Sequence, residues 1–129
     1  MGKSCFLLFS HKLTPEQAGD LKENWQVENI IPLPARLQFL WSNIPPDLSE
    51  LNGYLEPIKH WLKQNARPGD LALIQGDYGA TYLMVGYALS LKLTPIYATT
   101  ERIVKETLRG QETIVQRVFK HKGFRQYGR

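Results

Sequence analysis

The chain has 129 residues, 43% of them hydrophobic and 11% aromatic, which is enough apolar material for one core and about one domain. Sixteen Lys+Arg against twelve Asp+Glu give a net charge of +4 with 22% charged residues, which excludes a histone-like polycation and a disordered acidic segment. One cysteine, Cys5, allows no intramolecular disulfide and no CxxC or Cys/His cluster for zinc, so a reducing, cytoplasmic setting without metal or cofactor is expected.

In chain order, the apolar run 5–9 reads as a first strand, ended by a turn at Ser10-His11-Lys12. A helix follows to about Asn24, with Thr14 as N-cap, Pro15 in the first turn and Gln17 completing a capping box. Residues 25–31 give a second strand, stopped by Pro32 and Pro34, and residues 35–41 a short helix before Pro45-Pro46. In that helix Trp41 reads as a core plug. Apolar residues at Leu48, Leu51, Leu55, Ile58 and Leu62 have helical spacing over 48–64, which Gly53 and Pro57 are expected to split.

The run 71–74 leads at once into Gln75-Gly76-Asp77-Tyr78-Gly79-Ala80-Thr81 and then into Leu83, Met84, Tyr87, Ala88 and Leu91 at helical spacing. This is strand, glycine loop, helix; with a strand at 94–98 it implies a parallel crossover. The remainder, 102–108 and 112–120, is rich in Val, Ile, Thr and Phe around Arg109-Gly110-Gln111 and reads as a hairpin, with a helix over 101–108 as the alternative. No apolar run approaches the roughly 20 residues of a membrane span, and the opening run has no cleavage-site pattern, so neither a membrane nor a secreted protein is expected. The fold expected for residues 1–129 is a single α/β domain with a mainly parallel, Rossmann-like sheet, helices on both faces and a C-terminal β-hairpin.

Charge is unevenly placed. Residues 1–100 hold eight Lys+Arg against nine Asp+Glu, net −1, whereas residues 101–129 hold eight against three, net +5. An open parallel sheet binds ligands beyond the carboxyl ends of its strands, and three polar clusters are expected there: Ser10-His11, the loop 75–81, and Thr99-Thr100-Glu101-Arg102. His11 can act as a general acid or base near neutral pH beside the Ser10 hydroxyl. Arg102 after two threonines suits a phosphate clamp. Gln75, Gly76, Asp77, Tyr78, Gly79 and Thr81 would hold the ligand, the glycines allowing close backbone approach and the helix start offering N–H groups to phosphate. His60 and His121 read as surface residues. The loop is neither GxxxxGK[ST] nor GxGxxG, no carboxylate pair suits two metals, and no serine stands in a GxSxG setting. Metal-free chemistry on a phosphate ester is what these residue types support.

Leu8-Phe9-Ser10-His11 with Leu13-Thr14-Pro15-Glu16-Gln17, the loop Gln75-Gly76-Asp77-Tyr78-Gly79-Ala80-Thr81, and Pro95-Ile96-Tyr97-Ala98-Thr99-Thr100-Glu101-Arg102 together resemble the small stand-alone CRISPR-associated proteins of the Csx type. These are related to the CRISPR-associated Rossmann fold (CARF) and include ring nucleases. The resemblance implies a cytoplasmic homodimer that binds cyclic oligoadenylate, the cyclic tetra-adenylate ring foremost, and cuts it to linear products with 2′,3′-cyclic phosphate ends, switching off type III CRISPR signalling. It implies metal-independent cleavage by a ribose 2′-hydroxyl, with Ser10, His11 and Arg102 as candidate catalytic residues and Gln75, Gly76, Asp77, Tyr78, Gly79, Thr81, Thr99 and Thr100 as ligand-binding ones. Two other classes share these features. One is a sensor or sponge that binds the ring without cutting it; the other is a nucleic-acid-binding module using Lys105, Arg109, Arg117, Lys120, Lys122 and Arg125 of the hairpin, although no long nucleic acid is expected as partner.

Overall fold

The computed structural model describes residues 2–129. The elements run β1 (Lys3–Phe9), α1 (Pro15–Asn24), β2 (Val27–Pro32), α2 (Ala35–Ser42), α3 (Asn52–Asn65), β3 (Leu71–Gln75), α4 (Tyr78–Ser90), β4 (Thr94–Arg109) and β5 (Glu112–Gln126). They form a mixed α/β structure around one five-stranded sheet of order β2-β1-β3-β4-β5. The first four strands are parallel and β5 is antiparallel to β4. From β1 the chain moves to one side of the sheet to form β2 and later to the other to form β3, so the strand order reverses between β1 and β3.

The pleat divides the core in two. Phe6, Leu8, Ala72 and Ile74 meet residues of α2, α3 and α4 on one face. Cys5, Leu7, Phe9, Leu71, Leu73 and Ile96 meet Leu21 of α1 on the other. Burial on both faces explains why β1 and β3 read as unbroken apolar runs. The Thr14 capping box is formed as the sequence predicts: Thr14 Oγ1 accepts from the Gln17 N–H at 3.2 Å, and Gln17 Oε1 accepts from the Thr14 N–H at 2.9 Å. Trp41 is a core plug, 1% exposed.

Two expectations fail for local reasons. The helix expected to split within 48–64 is one element, α3, which begins at Asn52 and carries Pro57 inside it. The N–H that Pro57 lacks would have bonded the Gly53 carbonyl, and Gly53 lies exposed in the first turn where water can reach that carbonyl. Buried Leu55, Ile58 and Leu62 then hold the helix together. The strand expected at 25–31 is Val27–Pro32, because Trp25 caps α1 and Gln26 turns the chain at φ +56.

The hairpin is as the sequence implies but much longer than an average strand pair. Gly110 turns it at φ +63, and β4 and β5 stay paired from Ile96↔Gln126 to Arg109↔Glu112, with one irregularity at Thr99/Thr100. Only Thr94, Pro95 and Ile96 of β4 also pair with β3. Everything beyond is a two-stranded arm.

Burial lifts the Cys5 thiol from its ordinary 9.0 to about 12, and burial, then the neighbouring Tyr97, raises Tyr127 above its ordinary 10.0. Both groups hold their protons more tightly folded than unfolded, so their contribution is intact below the unfolded values and is lost as pH rises toward the folded ones. The urea midpoint is expected to fall between about pH 9 and pH 12, and to fall less steeply in Cys5→Ala; equal slopes in the two proteins would contradict this. Native Cys5 should also resist thiol reagents at pH 8 until the protein is unfolded.

Candidate functional site

Two hollows open at the carboxyl edge of the parallel strands, on neighbouring strands. Phe9 at the end of β1 is registered against Gln75 at the end of β3, so the segments that begin with Ser10 and Gly76 leave adjacent positions about 4.8 Å apart. The larger hollow is a cleft of about 650 Å³ whose lining includes Ser10, His11 and Lys12 with Gln38 and Ser42 of α2. Leu7, Phe9, Ile30 and Leu33 give it an apolar floor. Ser10, His11 and Lys12 are exposed, and the His11 ring stands edge-on to Phe9, centroids 5.5 Å apart. The smaller hollow, about 290 Å³, is lined by Gln75, Gly76, Tyr78, Thr81, Tyr97 and Tyr127.

The strand ends between these hollows are sealed by side chains. Gln38 Nε2 donates to the Phe9 carbonyl at 2.9 Å, Trp41 Nε1 to the Gln75 carbonyl at 3.1 Å, and the Tyr127 hydroxyl to the Ile74 carbonyl at 2.5 Å. A protonated Tyr127 is what that last bond requires, in keeping with the raised pKa of its hydroxyl. Helix α2 therefore lies across the edge, its Gln38 at β1 and its Trp41 at β3. The Gln75 side chain is engaged as well: its Oε1 accepts from the Ala98 N–H at 2.6 Å.

The glycine loop differs chemically from the expectation. Asp77 caps α4, with Oδ2 accepting from the Ala80 N–H at 3.0 Å. A carboxylate thus already occupies the place where a phosphate would meet that N–H, which weakens this helix start as an anion site. Gly76 sits close under Trp41: a Cβ there would lie 3.0 Å from the ring, which would have to give by a few tenths of an ångström. Tyr78 and Tyr82 lie one turn apart at the start of α4 and are 95% and 80% exposed. Thr81 Oγ1 is buried with no hydrogen-bond partner.

The third cluster does not join the first two within one chain. Arg102 lies inside β4, out on the arm, its guanidinium over the Phe119 ring at 5.5 Å, and it lines neither hollow. Thr100 lines a separate groove against Thr14 and Gln17 at the start of α1, and the Thr99 hydroxyl donates to the Gly123 carbonyl at 3.0 Å. The reason is the length of β4: where a strand end was expected, the chain continues as arm. Lys12 is the cation that the sequence reading passed over; among the described residues it is the one Lys or Arg lining the larger cleft. Its place directly after His11 was the available signal, whereas nothing in the sequence marked Gln38 or Ser42. His121, expected at the surface, is largely buried, its Nε2 2.7 Å from Asp20 Oδ2, and so ties the base of the arm to α1. His60 is exposed, as expected. No group of three or more His, Cys, Asp and Glu stands together among the described residues, and none of the described helices is long and apolar enough to cross a membrane.

Fold and site define an α/β protein whose polar groups gather at the carboxyl edge of a parallel sheet, next to the reversal of strand order. The chain belongs to the MJ1673 family: the sequence model described as "Uncharacterized protein MJ1673 family" matches residues 3–125. It is 52% identical over 122 residues to "Uncharacterized protein MJ1673" of Methanocaldococcus jannaschii, covering 95% of each chain. No solved structure matches it.

Gly76→Ala is expected to destabilise by about 1–3 kcal/mol through overpacking on Trp41, and Asp77→Ala by about 1 kcal/mol through loss of the α4 cap. Urea unfolding of both variants checks this; an unchanged Gly76→Ala would show that Trp41 can move aside.

Proposed function

We propose that the protein is a metal-independent ring nuclease that binds and cleaves cyclic oligoadenylate, cyclic tetra-adenylate foremost, as a cytoplasmic homodimer with a Rossmann-like, CARF-related domain. The observation that carries this reading is that Ser10, His11 and Lys12 share one open cleft at the carboxyl edge of the sheet, where α/β proteins take their ligands. Strand order, helices on both faces and the sequence motifs at 8–17, 75–81 and 95–102 support it further. A ring of identical nucleotides has rotational symmetry, and two copies of the cleft about a two-fold axis match it.

In this reaction the ribose 2′-oxygen bonds to the adjacent phosphorus as its proton is removed. The bond from phosphorus to the 5′-oxygen breaks, that oxygen takes up a proton, and a 2′,3′-cyclic phosphate remains. The protein holds attacking oxygen, phosphorus and leaving oxygen in line and offsets the charge on the phosphoryl oxygens. His11 is the proton carrier, Ser10 a hydrogen-bonding group beside it, and Lys12 the cation of the same cleft. The aromatic hollow of Tyr78, Tyr97 and Tyr127 suits stacking with a base.

The test is incubation of purified protein with cyclic tetra-adenylate, with and without EDTA, and separation of the products. Linear products with 2′,3′-cyclic phosphate ends, undiminished by EDTA, are expected. Saturable binding without product would make the protein a sensor, and no binding would end the reading altogether. His11→Ala should slow single-turnover cleavage by about 10²- to 10⁴-fold with little change in ring affinity. Lys12→Ala should weaken ring binding about tenfold, the loss of one charge-assisted contact. Full activity in His11→Ala would remove it from the chemistry.

A further inference from the structure

The arm is the least explained part of the molecule. Beyond Ala98, β4 runs eleven more residues past the level at which β3 ends, which at about 3.3 Å per residue is roughly 35 Å. An isolated two-stranded hairpin is marginal in water, yet this one carries apolar side chains on both faces. Val104, Leu108, Val115 and Phe119 share one face and Val118 lies on the other, by the pairing Arg102↔Phe119, Ile103↔Val118, Val104↔Arg117, Glu106↔Val115 and Leu108↔Thr113. Those five are half of the ten large apolar side chains exposed among the described residues, and Leu108 is 76% and Phe119 63% exposed. Three more, Phe39 of α2 with Tyr78 and Tyr82 of α4, belong to the two helices at the carboxyl edge. One chain thus exposes apolar side chains both on its arm and on the two helices of the carboxyl edge.

We infer that the arm docks on a second copy of this chain, lying across the carboxyl edge of its partner while the partner's arm lies across its own. Area supports this occupant. A hairpin about 35 Å long and 10 Å wide offers on the order of 350 Å² per face. In a two-fold pair each copy contributes one arm face and one receiving edge, roughly 700 Å², close to the roughly 800 Å² per partner of a standard interface. Charge selects the mode: residues 101–129 carry net +5 and residues 1–100 net −1, so arm on arm sets like charges together whereas arm on body does not. An exposed cationic hairpin is also a fit for RNA, but the aliphatic side chains Val104, Leu108, Val115 and Val118 give a nucleotide backbone nothing to bond.

A reciprocal arm docked by the face of Val104 and Phe119 brings Arg102 and Arg117 of that same face to the partner's edge, where Lys12 is the one Lys or Arg of the cleft among the described residues. That last step, and no other, rests on the ring-nuclease reading, and it makes each site a composite of two chains.

The experiment uses the full chain in two arms. Light scattering should give the wild type twice the 14.8 kDa of one chain, and the double substitution Val104→Glu with Phe119→Glu should give a monomer with an unchanged circular dichroism spectrum, because both side chains are exposed. Separately, Leu108→Cys is labelled with a benzophenone maleimide, Cys5 being buried, and a mixture of nitrogen-14 and nitrogen-15 protein is irradiated. Adducts joining the two isotopes, on peptides that contain Phe39 or Tyr78 and Tyr82, are expected. A monomeric wild type, an unchanged dimer in the double variant, or adducts within one chain alone would overturn the inference. So would a double variant that keeps its mass and loses binding to a single-stranded oligoribonucleotide, which would make the arm an RNA contact. None of these readouts involves ring cleavage: a wild type that dimerises and cross-links but leaves cyclic tetra-adenylate intact overturns the proposed activity and leaves the docked arm standing.

Discussion

Gln75 sets the end of the sheet. Its main-chain carbonyl accepts from Trp41 and its side-chain oxygen accepts from the Ala98 N–H, so one residue fixes α2 across the strand ends and holds β4 at the point where backbone pairing with β3 has stopped. A further β3 residue pairing with β4 would carry the sheet outward and cover the hollow under Tyr97 and Tyr127. Because the side chain takes over that hydrogen bond, β3 can end at Gln75 while β4 goes on. Buried carbonyls left open at strand ends would each cost on the order of 1–3 kcal/mol; those of Phe9, Ile74 and Gln75 are instead taken by Gln38, Tyr127 and Trp41.

That sealing has a functional side. Strand ends whose carbonyls are occupied present a settled surface, and the groups left free at the edge are side chains: Ser10, His11 and Lys12 on one flank of α2, and the tyrosines on the other. Gly76 belongs to the same arrangement, because the Trp41 ring that reaches the Gln75 carbonyl lies only 3.0 Å from where a Cβ of residue 76 would sit. The glycine loop is thus explained by packing first. Its Asp77 carboxylate, at the start of α4, makes the loop a poor place for a phosphate.

What could be read from the sequence follows the range of the interactions involved. The Thr14 capping box, the Gly110 turn and the Trp41 plug depend on residues within a few positions of one another or on one-sided burial, and each is visible as a local pattern. The unbroken apolar runs of β1 and β3 announced a parallel sheet covered on both faces. Pro57 misled because its cost depends on whether the Gly53 carbonyl meets water, which spacing does not reveal. The pairing of His121 with Asp20 spans 101 residues, and no local signal foretells it. For the site, the residue types at the ends of β1 and β3 were legible, and their adjacency followed from the parallel order. The separation of Arg102 from them was not, since the sequence marks where the hairpin turns but not where β4 leaves β3.

The charge layout gives that separation its meaning. A cyclic oligoadenylate carries one phosphate per nucleotide, yet residues 1–100 are net −1 and the larger cleft has Lys12 as its one Lys or Arg among the described residues. The net positive charge stands instead on residues 101–129, most of them in a hairpin that leads away from the site. Were those charges mounted permanently around the cleft, their mutual repulsion would weaken the edge whenever it is empty. On an arm they are spread over about 35 Å of solvated surface and, on the inferred docking, would approach an edge only when another chain receives it. On the proposed docking, binding of a polyanion and association of two chains would favour each other, because the same guanidinium and ammonium groups would serve both. A nearly neutral body with a basic arm would then suit the symmetric, negatively charged ligand proposed above, the match being made through two modest surfaces rather than one deeply charged pocket.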